Sequence, residues 1–224
     1  MKNRYMRGAH LKERKFKAIL RGFCSDIEAI KIAELNNINR NTAHALFNKF
    51  RRRIYELALD EYPNDIMQAQ VDESWFGKTR RRKDWFGNPT IVFGLITNEG
   101  KVYTKTIKKV SKEEIYPFIC ALCAPGATIL SDAAPVYKGL TGLGYKHLSV
   151  NHSSYEFSRM DNDMNVNTNK IESYWSWAKL RLGKFKGLLE DSYEIHLKEC
   201  EWRFNHRQHD IYMFLLGSFR AYPI

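Results

Sequence analysis

The stretch Met67-Gln-Ala-Gln-Val-Asp-Glu-Ser-Trp-Phe-Gly77 is where the chain changes character. Its Val, Trp and Phe set among polar residues, with Gly77 closing the run, predict a strand over 68–76 that carries Asp72. Just before it, Glu61-Tyr-Pro-Asn-Asp65 is polar and holds a helix-stopping proline, which sets a domain boundary. Beyond it, 90–97 and 101–107 read as two more strands, joined by the hairpin turn Asn98-Glu-Gly100. There follow an amphipathic helix over 112–123, a short buried strand over 128–131, a short helix over 134–140, a strand over 147–150 and a helix over 170–182. A last helix over 192–205 buries Tyr193, Leu197, Cys200 and Phe204.

Three antiparallel strands, then helix, strand, helix, strand and helix, give an α/β domain with a mixed sheet flanked by helices, in the ribonuclease-H-like order. The residues before Glu61 are helical instead. Helices are expected over 11–23, with Phe16, Ile19, Leu20 and Phe23 inward, over 27–35 after a capping turn at Cys24-Ser-Asp26, and over 41–59 with Ala45, Leu46, Phe50, Ile54 and Leu57 inward. Ala33 as the small crossing residue, Ile38 in the corner and the polar run from Asn39 fit a helix-turn-helix. The domains expected are therefore 1–62, an all-α helix-turn-helix; 66–210, the mixed-sheet domain; and 211–224, a C-terminal tail.

A net charge of +11 favours a polyanionic partner, because Lys and Arg contacts to phosphate release condensed counterions. Residues 1–62 alone hold 14 Lys and Arg against 7 Asp and Glu. The DNA-facing candidates are Arg40, Asn41, Thr42 and His44 at the start of the second helix of the motif, with Arg51, Arg52 and Arg53 on phosphates. Arg80, Arg81 and Arg82, with Lys83, form a basic tip between the first two strands, beside the aromatic run Asp84-Trp-Phe-Gly87. No stretch is long and apolar enough to span a membrane and no signal peptide is evident, so a cytoplasmic location is expected. Cys120 and Cys123 form a lone C-x-x-C within an apolar helical run, which reads as core packing rather than a metal or redox pair.

Three carboxylates carry the chemistry. Asp72 lies in the first strand, Asp132 closes Ala127-Thr-Ile-Leu-Ser-Asp132, and Glu172 lies in Asn169-Lys-Ile-Glu-Ser-Tyr-Trp-Ser-Trp-Ala-Lys179. In this topology the first and fourth strands are neighbours, so the aspartates meet at one edge and the helix brings Glu172 across. Clustered carboxylates of this kind hold the two cations of in-line phosphoryl transfer. Lys179 sits seven residues beyond Glu172, on the same helix face. Glu73 points to the other face of the strand and is set aside.

In these motifs the chain resembles the DDE transposases of bacterial insertion sequences, in the ISXO2-like group. The resemblance rests on Val71-Asp-Glu-Ser-Trp-Phe-Gly77, Tyr137-Lys-Gly-Leu140, Val150-Asn-His-Ser153, the segment Asn169–Lys179 and the closing Lys198-Glu-Cys-Glu-Trp-Arg-Phe-Asn-His-Arg207. It implies a Mg2+- or Mn2+-dependent enzyme, two ions per active site, that cleaves DNA at inverted-repeat transposon ends and joins the 3′-hydroxyls to target DNA as a homo-oligomer. Asp72, Asp132 and Glu172 would hold the metals, and Lys179 would contact DNA near the scissile phosphate. His152 and Asn169 are additional candidates; Asn169 competes with Glu172 as third ligand or caps the helix. Trp175, between Glu172 and Lys179, reads as packing. The alternatives are a catalytically inactive, transposase-derived DNA-binding regulator and a ribonuclease-H-like structure-specific nuclease.

Overall fold

The computed structural model describes residues 3–8, 11–77, 89–150, 159–161, 164–185, 188 and 190–224. Arg80, Arg81, Arg82, the 84–87 aromatics and His152, expected at DNA or at the site, lie outside these residues. The chain divides into two compact units, 1–57 with 206–224, and 58–205.

The first unit is helical because apolar residues recur at helical spacing. In α1 (Glu13–Cys24) Phe16, Ile19, Leu20 and Phe23 are all buried. The chain then turns through Asp26 in a left-handed conformation, φ 63°, and α2 (Ala29–Leu35) begins after Glu28, which makes no side-chain cap. Cys24-Ser-Asp26 is thus a turn and not the expected cap. Gly22 sets the crossing of the two helices: a Cβ there would lie 1.9 Å from Ile32 Cδ1. In α3 (Arg40–Asp60) the buried seam is Ala43, Leu46, Phe47, Phe50, Ile54 and Ala58. Leu46, Phe50 and Ile54 are inward as expected, whereas Ala45 is exposed and Leu57 half-buried, their places on the seam taken by Ala43, Phe47 and Ala58.

The segment 211–224, expected as a tail, contains α7 (Ile211–Ala221), whose N-cap Asp210 accepts from the Met213 N–H at 3.0 Å. Phe219 of α7 is fully buried, edge-on to Phe16 at 5.8 Å and 5.3 Å from Phe50. The last residue closes the unit, with Ile224 N–H donating to Tyr5 O and Arg7 N–H to Ile224 O.

The second unit is a five-stranded mixed sheet of order β3-β2-β1-β4-β5. β1 (Ile66–Phe76) is central, antiparallel to β2 (Thr90–Thr97) and parallel to β4 (Cys123–Asp132), and β5 (Lys146–Val150) runs parallel to β4. β3 (Val102–Ile107) pairs antiparallel with β2 at the opposite edge. Alternation along β1 divides two cores. Ala69 and Val71 face a layer that includes α4 (Lys112–Leu122) and Tyr137, while Phe76 faces α5 (Asn169–Leu182) and α6 (Glu190–Asn205). β4 is longer than expected and starts directly after α4, so Cys123 opens the strand, buried, while Cys120 is exposed. A small unexpected hairpin, β6 (Arg159–Asp161) and β7 (Met164–Val166), precedes α5.

Edge strand β3 is closed by side chains of α6. Asn205 accepts from Val102 N–H at 2.7 Å and donates to Val102 O at 2.8 Å. Glu201 accepts from Thr104 N–H and its hydroxyl, both at 2.7 Å, and Glu194 accepts from the Thr106 hydroxyl. Two backbone donors of the edge are thereby satisfied and denied to another strand. Glu201 in turn pairs with buried Lys198, and Glu199 with Arg181 and Arg203. One helix therefore buries four charges beside its apolar residues, each in a pair.

Candidate active site at the carboxyl edge of the sheet

Parallel strands β1, β4 and β5 end on the same side, the edge of an open α/β sheet where ligands bind. Gln70 is paired in register with Leu130, so Asp72 and Asp132, each two residues further on, share one edge and one face. That face is the α5 side. Burial, the charge of Glu73 and, more weakly, that of Asp132 push the Asp72 carboxyl up to about 7, opposed by hydrogen bonds.

One of those bonds comes from Trp175, whose Nε1–H donates to Asp72 Oδ2 at 2.9 Å. The seat for the indole is made by Gly94, which pairs with Asp72 across β1 and β2. A Cβ at Gly94 would lie 2.5 Å and 2.7 Å from ring carbons of Trp175. Trp175 is packed, as expected, and in addition orients the first carboxylate.

Gln70 fixes the start of α5. Its buried amide oxygen accepts from Lys170 N–H at 2.9 Å and Ile171 N–H at 3.1 Å, and its nitrogen donates to Asn167 Oδ1. These are two of the donors that a helix N-terminus leaves unpaired. Asn169 is the first helical residue, exposed, and makes no side-chain cap; its own N–H donates to Asn167 Oδ1. The capping expectation for Asn169 passes to Gln70 and Asn167. Glu172 is exposed on the first turn and accepts from the Thr168 hydroxyl at 2.7 Å. Lys179, also exposed, holds its Nζ 5.9 Å from the centre of the Phe76 ring, beyond Asp72 on the same face of β1.

The structure brings Asp72 and Asp132 together and adds Glu73, which sequence reasoning set aside. Glu73 does face the other way, where Tyr137, fully buried, donates to its Oε2 at 2.5 Å. The charge of Asp132 nevertheless acts on Glu73 as well as on Asp72. Burial raises the Glu73 carboxyl and the Tyr137 bond lowers it. A histidine also lies close by: His147 Nε2 is 2.8 Å from Ser131 Oγ, and its ring is pushed down by burial and raised by Asp132. Among the described residues no group of three or more His, Cys, Asp and Glu side chains is close enough to hold a metal ion. The pair of aspartates nevertheless suits one, since it offers hard oxygens whose crowding of negative charge a divalent cation would relieve.

In the first unit, Arg40, Asn41, Thr42 and His44 are exposed at the start of α3, where Asn39 Oδ1 accepts from Asn41 N–H at 2.8 Å. The arginine triplet divides. Arg52 is exposed, but Arg51 is buried with its guanidinium 5.7 Å from the Phe23 ring and 5.8 Å from that of Phe47. Arg53 donates to Ser218 O and Oγ and pairs with Glu56. Phosphate contact by Arg51 and Arg53 is therefore corrected to an intramolecular role for both.

The family model described as the ISXO2-like transposase domain matches residues 68–205. An uncharacterized transposase-like protein of Haemophilus influenzae is 33% identical over 108 residues, covering 48% of this chain and 84% of that protein. Among solved structures, a pre-cleavage Mos1 transpososome gives a TM-score of 0.31 at 13% identity, over 96% of this chain and 81% of that one. A Mos1 mariner paired-end complex with Mn gives 0.36 at 14% identity, over 93% and 80%.

Proposed function

The chain belongs to the family of ISXO2-like transposase domains, and we propose that it is an insertion-sequence transposase that cuts DNA at the ends of its element and joins the freed 3′-hydroxyl to target DNA. The observation that supports this reading is the register of β1 and β4, which pairs Gln70 with Leu130, two residues before Asp72 and Asp132 on the same faces of their strands. Asp72, Asp132 and Glu172 would hold Mg2+ or Mn2+, and the bound ions would activate the attacking oxygen and stabilise the leaving one. Trp175 keeps one oxygen of Asp72 occupied and so orients the carboxylate. Gln70 anchors the helix that carries Glu172 and Lys179, and the Lys179 ammonium would meet a phosphate.

Recognition of the ends belongs, on this proposal, to Arg40, Asn41, Thr42 and His44, with Arg52 on the backbone. The protein would work in the cytoplasm as an oligomer, because two ends are processed together; among the described residues no helix is long and apolar enough to cross a membrane. The test is cleavage of a duplex carrying the inverted repeat that flanks the coding sequence, with binding to the same duplex followed in parallel. Asp72→Ala, Asp132→Ala and Glu172→Gln should each lose cleavage by orders of magnitude while binding stays within a few-fold. Wild-type rates in Asp72→Ala or Asp132→Ala would overturn the assignment, and a normal Glu172→Gln beside an inactive, folded Asn169→Ala would transfer the third role to Asn169.

A further inference from the structure

α1 and α7 enclose a cleft that neither the helix-turn-helix nor the sheet edge uses. It is open, about 610 Å³, and lined by Glu13, Arg14, Lys17, Ala18, Arg21 and Tyr212. No residue of α3 contributes to it. The three cations stand at i, i+3 and i+7 of α1, hence on one stripe spanning about 10 Å, from the 1.5 Å rise per residue. Ala18, between them, keeps the floor low.

The charge in this cleft is unspent. Its one acid, Glu13, is neutralised by Arg4 at 3.0 Å. The Arg21 guanidinium lies over the Tyr212 ring, 4.6 Å from its centre, and Lys17 Nζ is 5.4 Å from the centre of the Tyr5 ring. A cation on a ring face is held in place while its N–H edges remain available. Among the described residues, the side chains of Arg14, Lys17 and Arg21 make no hydrogen bond or ion pair, Lys17 acting on Glu13 only through its charge. Three held or exposed cations over a low, open floor match consecutive phosphates of a strand better than they match a small enclosed ligand.

We propose that the α1–α7 cleft is a second DNA surface, which grips the sugar–phosphate backbone of duplex DNA without reading its sequence. This rests on the transposase reading for its partner, and it assigns α7 a role in DNA contact. Each phosphate contact steepens the fall of log affinity with log salt by about 0.9. The experiment uses the full chain and measures binding to a random-sequence duplex by fluorescence anisotropy between 50 and 200 mM KCl.

The triple substitution Arg14→Gln, Lys17→Gln, Arg21→Gln should make the slope shallower by about 2 to 3, and Arg14→Gln alone by about 1. The ratio of affinities for element ends over random duplex should not change. A control removing three exposed charges elsewhere, Lys31→Gln, Lys109→Gln and Lys138→Gln, matches the change in net charge. A slope unaltered by the triple substitution, or altered as much by the control, overturns the cleft alone. A wild-type chain that binds no duplex at all overturns both this proposal and the transposase reading.

Discussion

At the scale of the residue, Asp72 concentrates the physics of the site. Its carboxyl is raised to about 7, burial being the larger cause and Glu73 the next. Between about pH 4 and pH 7 the folded chain therefore keeps a proton on Asp72 that the unfolded chain has released. Stability contributed by that proton is present at the acid end of the window and falls as pH rises through 7. Asp72→Asn, a permanently neutral stand-in, should then melt close to wild type at pH 4.5 and about 5 °C higher at pH 8 in metal-free buffer, since each kcal/mol shifts a domain of this size by roughly 2–4 °C. Added Mg2+ should narrow the gap by stabilising the ionised wild-type carboxylate. A difference in melting temperature that does not change between the two pH values would show that Asp72 ionises without cost.

At the scale of the element, the question is what keeps α5 over β1. Apolar packing by Ile171, Trp175 and Ala178 holds the helix to the sheet, but packing alone does not set where its first turn lies. Gln70 does, through the two helix N–H groups that its buried oxygen accepts. Gln70→Ala leaves those donors unpaired beneath the helix, at a cost of about 1–3 kcal/mol each at most. Urea unfolding should show a loss of about 2 kcal/mol, and cleavage of end duplex should fall at least tenfold with binding kept. Unchanged cleavage in a Gln70→Ala chain that shows the stability loss would mean that the first turn of α5 takes no part in the chemistry.

Across the whole molecule, period and punctuation in the sequence are enough for the order of the five sheet strands and of α4, α5 and α6, though not for the β6–β7 hairpin or α7, because strands 68–76, 90–97 and 101–107 and the helix near 170–182 carry strong local signals. Pairing Asp72 with Asp132 followed from topology. What escaped depends on register or on distant partners. Trp175 becomes a donor to Asp72 only because Gly94 lies opposite that aspartate, and Glu73 joins the acidic edge only through the nearby charge of Asp132. Lys198, Glu199, Glu201 and Arg203 look like the solvent face of α6, yet edge strand β3 and Arg181 draw them inside. α7 was missed although Asp210 and the Leu215/Phe219 spacing announce a helix; its short apolar run finds its core with α1 and α3, distant in sequence. Arg51 and Arg53 show the reverse error, charge read as surface where aromatic rings and a helix end hold it.

On the proposed function, Asp132 and Asp72 are ligands to a divalent cation in DNA cleavage. This is tested most directly by Asp132→Cys, compared in Mg2+ and in Mn2+ on the end duplex. A thiolate is a poor ligand for Mg2+ and a better one for the softer Mn2+. The account predicts that cleavage disappears in Mg2+ and returns in part in Mn2+, with end binding unchanged in both. Cleavage at wild-type rates by Asp132→Cys in Mg2+ would contradict it.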